Sequence, residues 1–288
     1  MSKKLLLLGL SLLGVAALNL TACGNGGVDN NTLVIGMECA YQPFNWTQNN
    51  ANEYTLPIDG TSEYADGYDI AVAKYLSEDL NRPVIIKRTN WEDLIPSLQN
   101  GSINMILAGM SSTAERRETI DFTDPYLESD LAFLIKTENL PAGNSKDNPA
   151  SYQDLLNLFN GHSLVCQSGV VGDDIIADYF ENADGVSIGH GAAQATYPLA
   201  AIDVQRGISF AMPAELPVVE AMANLDGLSV LYCNYSFLSE GDLEGLKVNI
   251  GIKKGNDDLR NDLNASLRRL SQERRSQMMG AASQRSAA

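Results

Sequence analysis

The chain has 288 residues and carries 20 Lys and Arg against 36 Asp and Glu, a formal charge of −16, with 44% hydrophobic residues. That length suits one or two domains, and that apolar share fits a packed core, not a disordered chain. The negative balance disfavours nucleic acid, because phosphate binding needs clustered Lys and Arg, and it weakens attraction to anionic lipid.

Residues 1–22 form a separate object. Lys3 and Lys4 precede an apolar run from Leu5 to Leu18. The run is short for a bilayer span and right for the core of a signal peptide. It ends in Leu20-Thr21-Ala22-Cys23, which reads as a lipoprotein box with cleavage before Cys23 and lipid on that Cys. The plainer alternatives are an ordinary signal peptide with a chance Cys, or an uncleaved anchor. Residues 23–32 are Gly- and Asn-rich and read as a flexible tether. No other segment has the apolar length to span a membrane. The expectation is a soluble body outside the cytoplasmic membrane, touching it only through the N-terminal lipid.

Beyond the tether, strands are expected over 32–36, 83–86 and 103–108. Helices are expected over 68–80, 91–98 and 115–119, with an irregular loop or hairpin over 47–67. A second series follows: strands at 163–166, 185–188, 208–212 and 228–233, and helices at 173–180, 198–205 and 216–223. A last strand at 248–252 precedes one long amphipathic helix over 258–279, spaced by Leu259, Leu263, Leu267 and Leu270. Alternation of this kind predicts two α/β lobes with largely parallel sheets. Segments 126–135 and 237–246 are the candidate crossings between them.

Cys39, Cys166 and Cys233 are an odd set, compatible with one disulfide and a free thiol or with three thiols. With only His162 and His190, a Cys/His metal site is not expected. No catalytic motif and no phosphate loop appears, and no cofactor is implied.

The candidate binding positions lie at strand ends. Thr113 is placed to cap a helix whose first turn holds Arg116, a fork suited to a carboxylate. An Arg116-Arg117 pair is also an ordinary solvated surface. Tyr41, Phe44 and Trp46 suit a stacking wall for a small ligand, or a cap on the core. Glu38 beside them suits an ammonium or guanidinium, or solvent. In the second half, Gln167-Ser168-Gly169-Val170-Val171 again joins a strand to a helix, and Glu215 stands alone at another strand end.

The blocks 91–101, 107–116 and 121–126 (Trp91-Glu92-Asp93-Leu94-Ile95-Pro96-Ser97-Leu98-Gln99-Asn100-Gly101, Leu107-Ala108-Gly109-Met110-Ser111-Ser112-Thr113-Ala114-Glu115-Arg116 and Asp121-Phe122-Thr123-Asp124-Pro125-Tyr126) are telling. With Glu38–Phe44, Gly67-Tyr68-Asp69-Ile70 and Ile252-Lys253-Lys254-Gly255-Asn256, they resemble the extracellular solute-binding proteins of polar amino-acid ABC transporters, family 3. The resemblance implies a two-lobed, type II periplasmic-binding-protein-like fold with two hinge strands. Lobe 1 would hold residues 33–127 and 244–288, and lobe 2 residues 128–243. It implies a non-enzymatic monomer that closes on a free amino acid, polar or cationic, and delivers it to a permease.

The resemblance also implies roles. Arg116 falls on the residue that pairs with the α-carboxylate, and Glu215 on the acid that receives the α-ammonium. Gly109 and Ser111 fall on backbone and hydroxyl contacts, Tyr41 on the covering aromatic, and Glu38 near the side-chain subsite. Val170 stands where the family often has Thr, which leaves only backbone donors over Gly169–Val171. Rival readings are an enzyme of the cyclohexadienyl dehydratase type, with Glu38 or Glu215 as acid, and a sensory lipoprotein on the same lobes.

Overall fold

The computed structural model describes residues 31–286. The expected signal segment, Cys23 and all but the last two residues of the expected tether lie outside them. Two five-stranded sheets carry the fold. The first runs Val84–Arg88, Leu33–Met37, Met105–Ile106, Lys247–Lys253, Ile120–Glu128. The second runs Gly189–His190, Ser163–Leu164, Ala211–Glu215, Leu131–Lys136, Leu228–Tyr232. The two share one plan: three parallel strands, then a strand inserted antiparallel from the other end of the chain segment. The sheets are therefore mixed, which corrects the expectation of largely parallel ones. Strand polarity is set by long-range pairing that local apolar runs do not encode.

The chain passes between the sheets twice. Ile120–Glu128 leads through Ser129 and Asp130 into Leu131–Lys136, and the return enters Lys247–Lys253. The two crossings are tied together, with Lys247 opposite Glu128 and Ser129 N–H donating to Leu246 O. A small four-stranded sheet, Ala40–Tyr41, Asn45–Gln48, Tyr64–Asp66 and Leu56–Pro57, takes in the segment 47–67, where Leu56–Pro57 and Tyr64–Asp66 pair antiparallel as the hairpin alternative expected there.

The helices follow their local signals. Tyr68–Leu80 buries Ile70, Val72, Ala73 and Leu76 and stops at the left-handed Asn81. Tyr152–Phe159 opens with a Ser151/Asp154 capping box and buries Leu155, Leu156 and Phe159. It was not foreseen, nor was Glu240–Glu244. The expected helix over 91–98 is a 3-10 turn, Trp91–Asp93, followed by Leu94–Asn100. The one over 173–180 starts as Val171–Ile175 and widens into a π-helix over Ile176–Glu181.

Three expectations shift. The strand read over 208–212 is Ala211–Glu215, because Ile208 N–H and Ser209 N–H still bond Asp203 O in the turn that ends the preceding helix. The strand read over 185–188 is Gly189–His190. The single C-terminal helix is two, Asp257–Arg269 and Gln272–Ser286. Leu270 turns extended, and the Arg275 guanidinium takes the carbonyls of Leu267 and Leu270 at the break, together with Pro125 O from the strand Ile120–Glu128. Cys39, Cys166 and Cys233 are all buried thiols with no disulfide among them.

Candidate functional site

Carboxyl ends of strands from both sheets meet at one cleft, the place where open α/β sheets expose turns and helix starts to a ligand. From the first sheet's side come Glu38, Tyr41, Trp91, Gly109, Ser111 and Arg116. From the second come Gln167, Val170, Val171, Tyr197 and Glu215. The free space between them is about 10 Å³, room for roughly one water. The two sides touch, and a larger ligand enters only as they part.

Arg116 sits in the first turn of helix Ala114–Thr119, with Thr113 Oγ1 accepting from Arg116 N–H at 3.3 Å as expected of a cap. Its guanidinium donates to Ser111 O and, across the cleft, to Gly169 O, each at 2.8 Å. It lies over the Trp91 ring, 5.2 Å from the centroid. Burial pulls its pKa below the ordinary arginine value, and Asp174 is the first group pushing it back. Arg117 goes elsewhere, donating to Ser112 O and Oγ.

Glu215 ends its strand almost fully buried and accepts from the Tyr41 hydroxyl across the cleft. Burial raises its pKa, while Tyr41 and Arg116 oppose that rise. Tyr41 is held between two parallel rings, Phe44 at 5.0 Å and Tyr197 at 4.8 Å. Glu38 accepts from Gln167 Nε2 at 3.2 Å. Burial lifts its carboxyl to about 7, against the pull of that hydrogen bond.

Gly109 has φ +62°, and a Cβ there would stand 2.7 Å from Tyr41 Cε1. Only glycine lets the turn and the ring approach this closely. Its N–H is already spent on the Tyr126 hydroxyl at 2.9 Å, so what the residue offers a ligand is its carbonyl.

Nine of the residues singled out from sequence thus meet at the cleft: Glu38, Tyr41, Gly109, Ser111, Arg116, Gln167, Val170, Val171 and Glu215. Two are not in its wall, and a third, Gly169, meets it through its carbonyl alone. Phe44 lies beneath Tyr41 and is fully buried. Trp46 packs into the core, since its strand pairs inward with Ala40 and Asp66. Gly169 backs the cleft, and its carbonyl accepts from Arg116 and from Trp91 Nε1 at 3.1 Å. The cap of the helix that follows is Val170. Tyr197 and Trp91 were missed. Trp91 had its signal, since it opens the most telling block, whereas Tyr197 starts a helix with nothing local to mark it.

Fold and cleft together define a two-lobed binding protein. The family model "Bacterial extracellular solute-binding proteins, family 3" matches residues 33–279, and the chain belongs to that family. It is 28% identical over 172 residues to the octopine-binding periplasmic protein of Rhizobium meliloti, covering 56% of this chain and 54% of that one. With the glutamine-binding protein GlnH of Bacillus subtilis it shares 24% over 245 residues, 84% and 77% of the two chains. The chain spans about half the length of several curated relatives that it matches. In fold it resembles the amino acid ABC transporter substrate-binding protein AbpA of Streptococcus pneumoniae, whose solved structure is bound to L-arginine. The TM-score is 0.70 at 18% identity, covering 90% of this chain and 97% of that one.

Proposed function

We propose that the chain binds a free α-amino acid with a polar or cationic side chain between its lobes and delivers it to the permease of an ABC importer. The observation carrying this reading is the convergence of one guanidinium, Arg116, one buried carboxyl, Glu215, and one half-buried carboxyl, Glu38, on one cleft. An α-carboxylate, an α-ammonium and a cationic side chain are the complement of that set. Each charged group already has a stand-in across the cleft. Gly169 O takes the place of a ligand carboxylate at Arg116, and the Tyr41 hydroxyl that of an ammonium at Glu215.

In this reading residues 33–127 with 244–288 move as one lobe against 128–243, about the paired crossings at Glu128–Asp130 and Leu246–Lys247. A ligand lacking either charged group leaves a buried partner uncompensated, a loss of about 2–5 kcal/mol. Relatives named for arginine and octopine, both carrying a guanidinium, support the cationic preference. We propose further that the mature chain is a monomer, as the family resemblance implies, and that lipid on Cys23, at the end of the box at 20–23, holds it outside the cytoplasmic membrane. The cleft performs no chemistry on its ligand.

A thermal-shift panel of the ligand-stripped protein tests this against the twenty amino acids, agmatine and prephenate. A ligand at 100 times its dissociation constant stabilises the fold by about 2.7 kcal/mol. Stabilisation by one or a few amino acids and not by agmatine is the expected result. Turnover of prephenate, or no shift with any amino acid, overturns the reading.

A further inference from the structure

The block Gly67-Tyr68-Asp69-Ile70 lies outside the cleft wall, yet its side chains reach both of the first lobe's ligand-facing turns. Asp69 is fully buried. Its Oδ1 accepts from the Tyr126 hydroxyl at 2.8 Å. That same hydroxyl accepts from Gly109 N–H. Its Oδ2 accepts from Asn45 Nδ2 at 2.8 Å, and Asn45 Oδ1 accepts from Cys39 N–H at 2.7 Å.

The two backbone donors at the far ends both sit in the left-handed region, which Gly109 adopts freely and Cys39 does not. Gly109 has φ +62° and Cys39 has φ +57°, a left-handed conformation that a side chain disfavours. Cys39 stands between Glu38 and the Tyr41 turn. Backbone bonds repeat the pattern, with Tyr68 N–H on Pro43 O at 3.0 Å and Asp69 N–H on Phe44 O at 2.8 Å. Gly67 permits this approach, since a Cβ there would meet Phe44 O at 2.1 Å. The Tyr68 hydroxyl closes the set on Tyr126 O at 2.8 Å.

We propose that Asp69 is a positioning residue, a single buried carboxylate that sets the geometry of both ligand-facing turns, Gly109 through Tyr126 and Glu38–Tyr41 through Asn45. The inference rests on the cleft being the amino-acid site. Above pH about 7 Asp69 is charged, and a charged acceptor polarises the hydroxyl it receives, so the strengthened hydroxyl holds the next N–H more firmly. The chain of bonds therefore carries an effect from Asp69 to Gly109 without contact between them.

The test uses Tyr126→Phe, Asp69→Asn and the double variant, with L-arginine as calorimetric probe and the Gly109 amide resonance of the unliganded, ¹⁵N-labelled protein as a second readout. Tyr126→Phe removes one oxygen and is the variant that keeps the packing. Expected are a loss of affinity of about tenfold for each single variant, a double variant no weaker than the weaker single one, and an upfield move of the Gly109 amide proton in both, smaller in Asp69→Asn. Variants that melt earlier but bind L-arginine as the parent does, with the Gly109 amide unmoved, overturn the proposal. A parent that does not bind L-arginine speaks against the cationic ligand class proposed above, and the amide resonance then decides the network by itself.

Discussion

The Tyr41 hydroxyl, from the first lobe, donates to Glu215 Oε2, from the second. This bond closes the cleft, and in the proposed binding mode an incoming α-ammonium takes the place of the hydroxyl. Glu215→Gln separates the charge from the hydrogen bond, because a Gln oxygen still accepts from Tyr41. The fold and its melting temperature should stay near the parent's, while amino-acid affinity falls by about 30-fold or more, the lower end of what losing one partner of a buried charged pair brings. Parent-like affinity in calorimetry would remove Glu215 from the site.

Arg116 and Arg117 are neighbours in sequence with opposite surroundings, one in the cleft over Trp91 and one on Ser112. Arg116→Ala should weaken binding by at least about tenfold, and Arg117→Ala should leave it within about twofold. Equal effects in a side-by-side titration would mean that the fork does not meet the ligand carboxylate.

Glu38 gives the pH dependence. Its carboxyl is raised from 4.5 to about 7 by burial, so it is protonated in the folded protein over a range where it is charged when unfolded. Its contribution to stability is therefore fully present below pH 4.5 and is lost as pH rises through about 7. Asp69, raised to about 7 by burial, acts in the same direction. For a cationic ligand the sign reverses, since the side chain pairs with the charged form. Affinity should climb as pH rises through about 7 and level off above it, with a proton released on binding at lower pH. Glu38→Gln should flatten the profile. A profile unchanged in that variant would place the titration elsewhere.

The chain has two tryptophans, and only Trp91 crosses the cleft, through its Nε1 bond to Gly169 O. Trp46 is buried in the core. Ligand-induced changes in emission should survive Trp46→Phe and vanish in Trp91→Phe. The reverse pattern would contradict the assignment of the moving surfaces.

The strand-end positions of Glu38 and Glu215 were legible from sequence because each follows an apolar run and precedes a turn or a helix start, and the place of Arg116 because Thr113 marks the cap of the helix whose first turn holds it. Trp46 misled for a physical reason. Three aromatics in six residues look alike in sequence, and only the pairing of Asn45–Gln48 with Tyr64–Asp66 turns Trp46 into the core while Tyr41 reaches the cleft. Tyr197 was illegible because its place depends on stacking against Tyr41 from the other lobe, a contact no local pattern encodes. The break at Leu270 had a faint signal in Ser271, whose hydroxyl accepts from Arg274 N–H at 3.2 Å. The leucine spacing hid it by running on in register to Leu270.

The most direct test of the cleft as an α-amino-acid site is calorimetry of the amino acid that stabilises the protein most, run beside its decarboxylated amine. For L-arginine that amine is agmatine. The account predicts one ligand per chain for the amino acid and binding of the amine weaker by at least about tenfold, because Arg116 is left facing no carboxylate. Equal affinity for the two would show that Arg116 does not read the carboxylate, and would contradict the account at its centre.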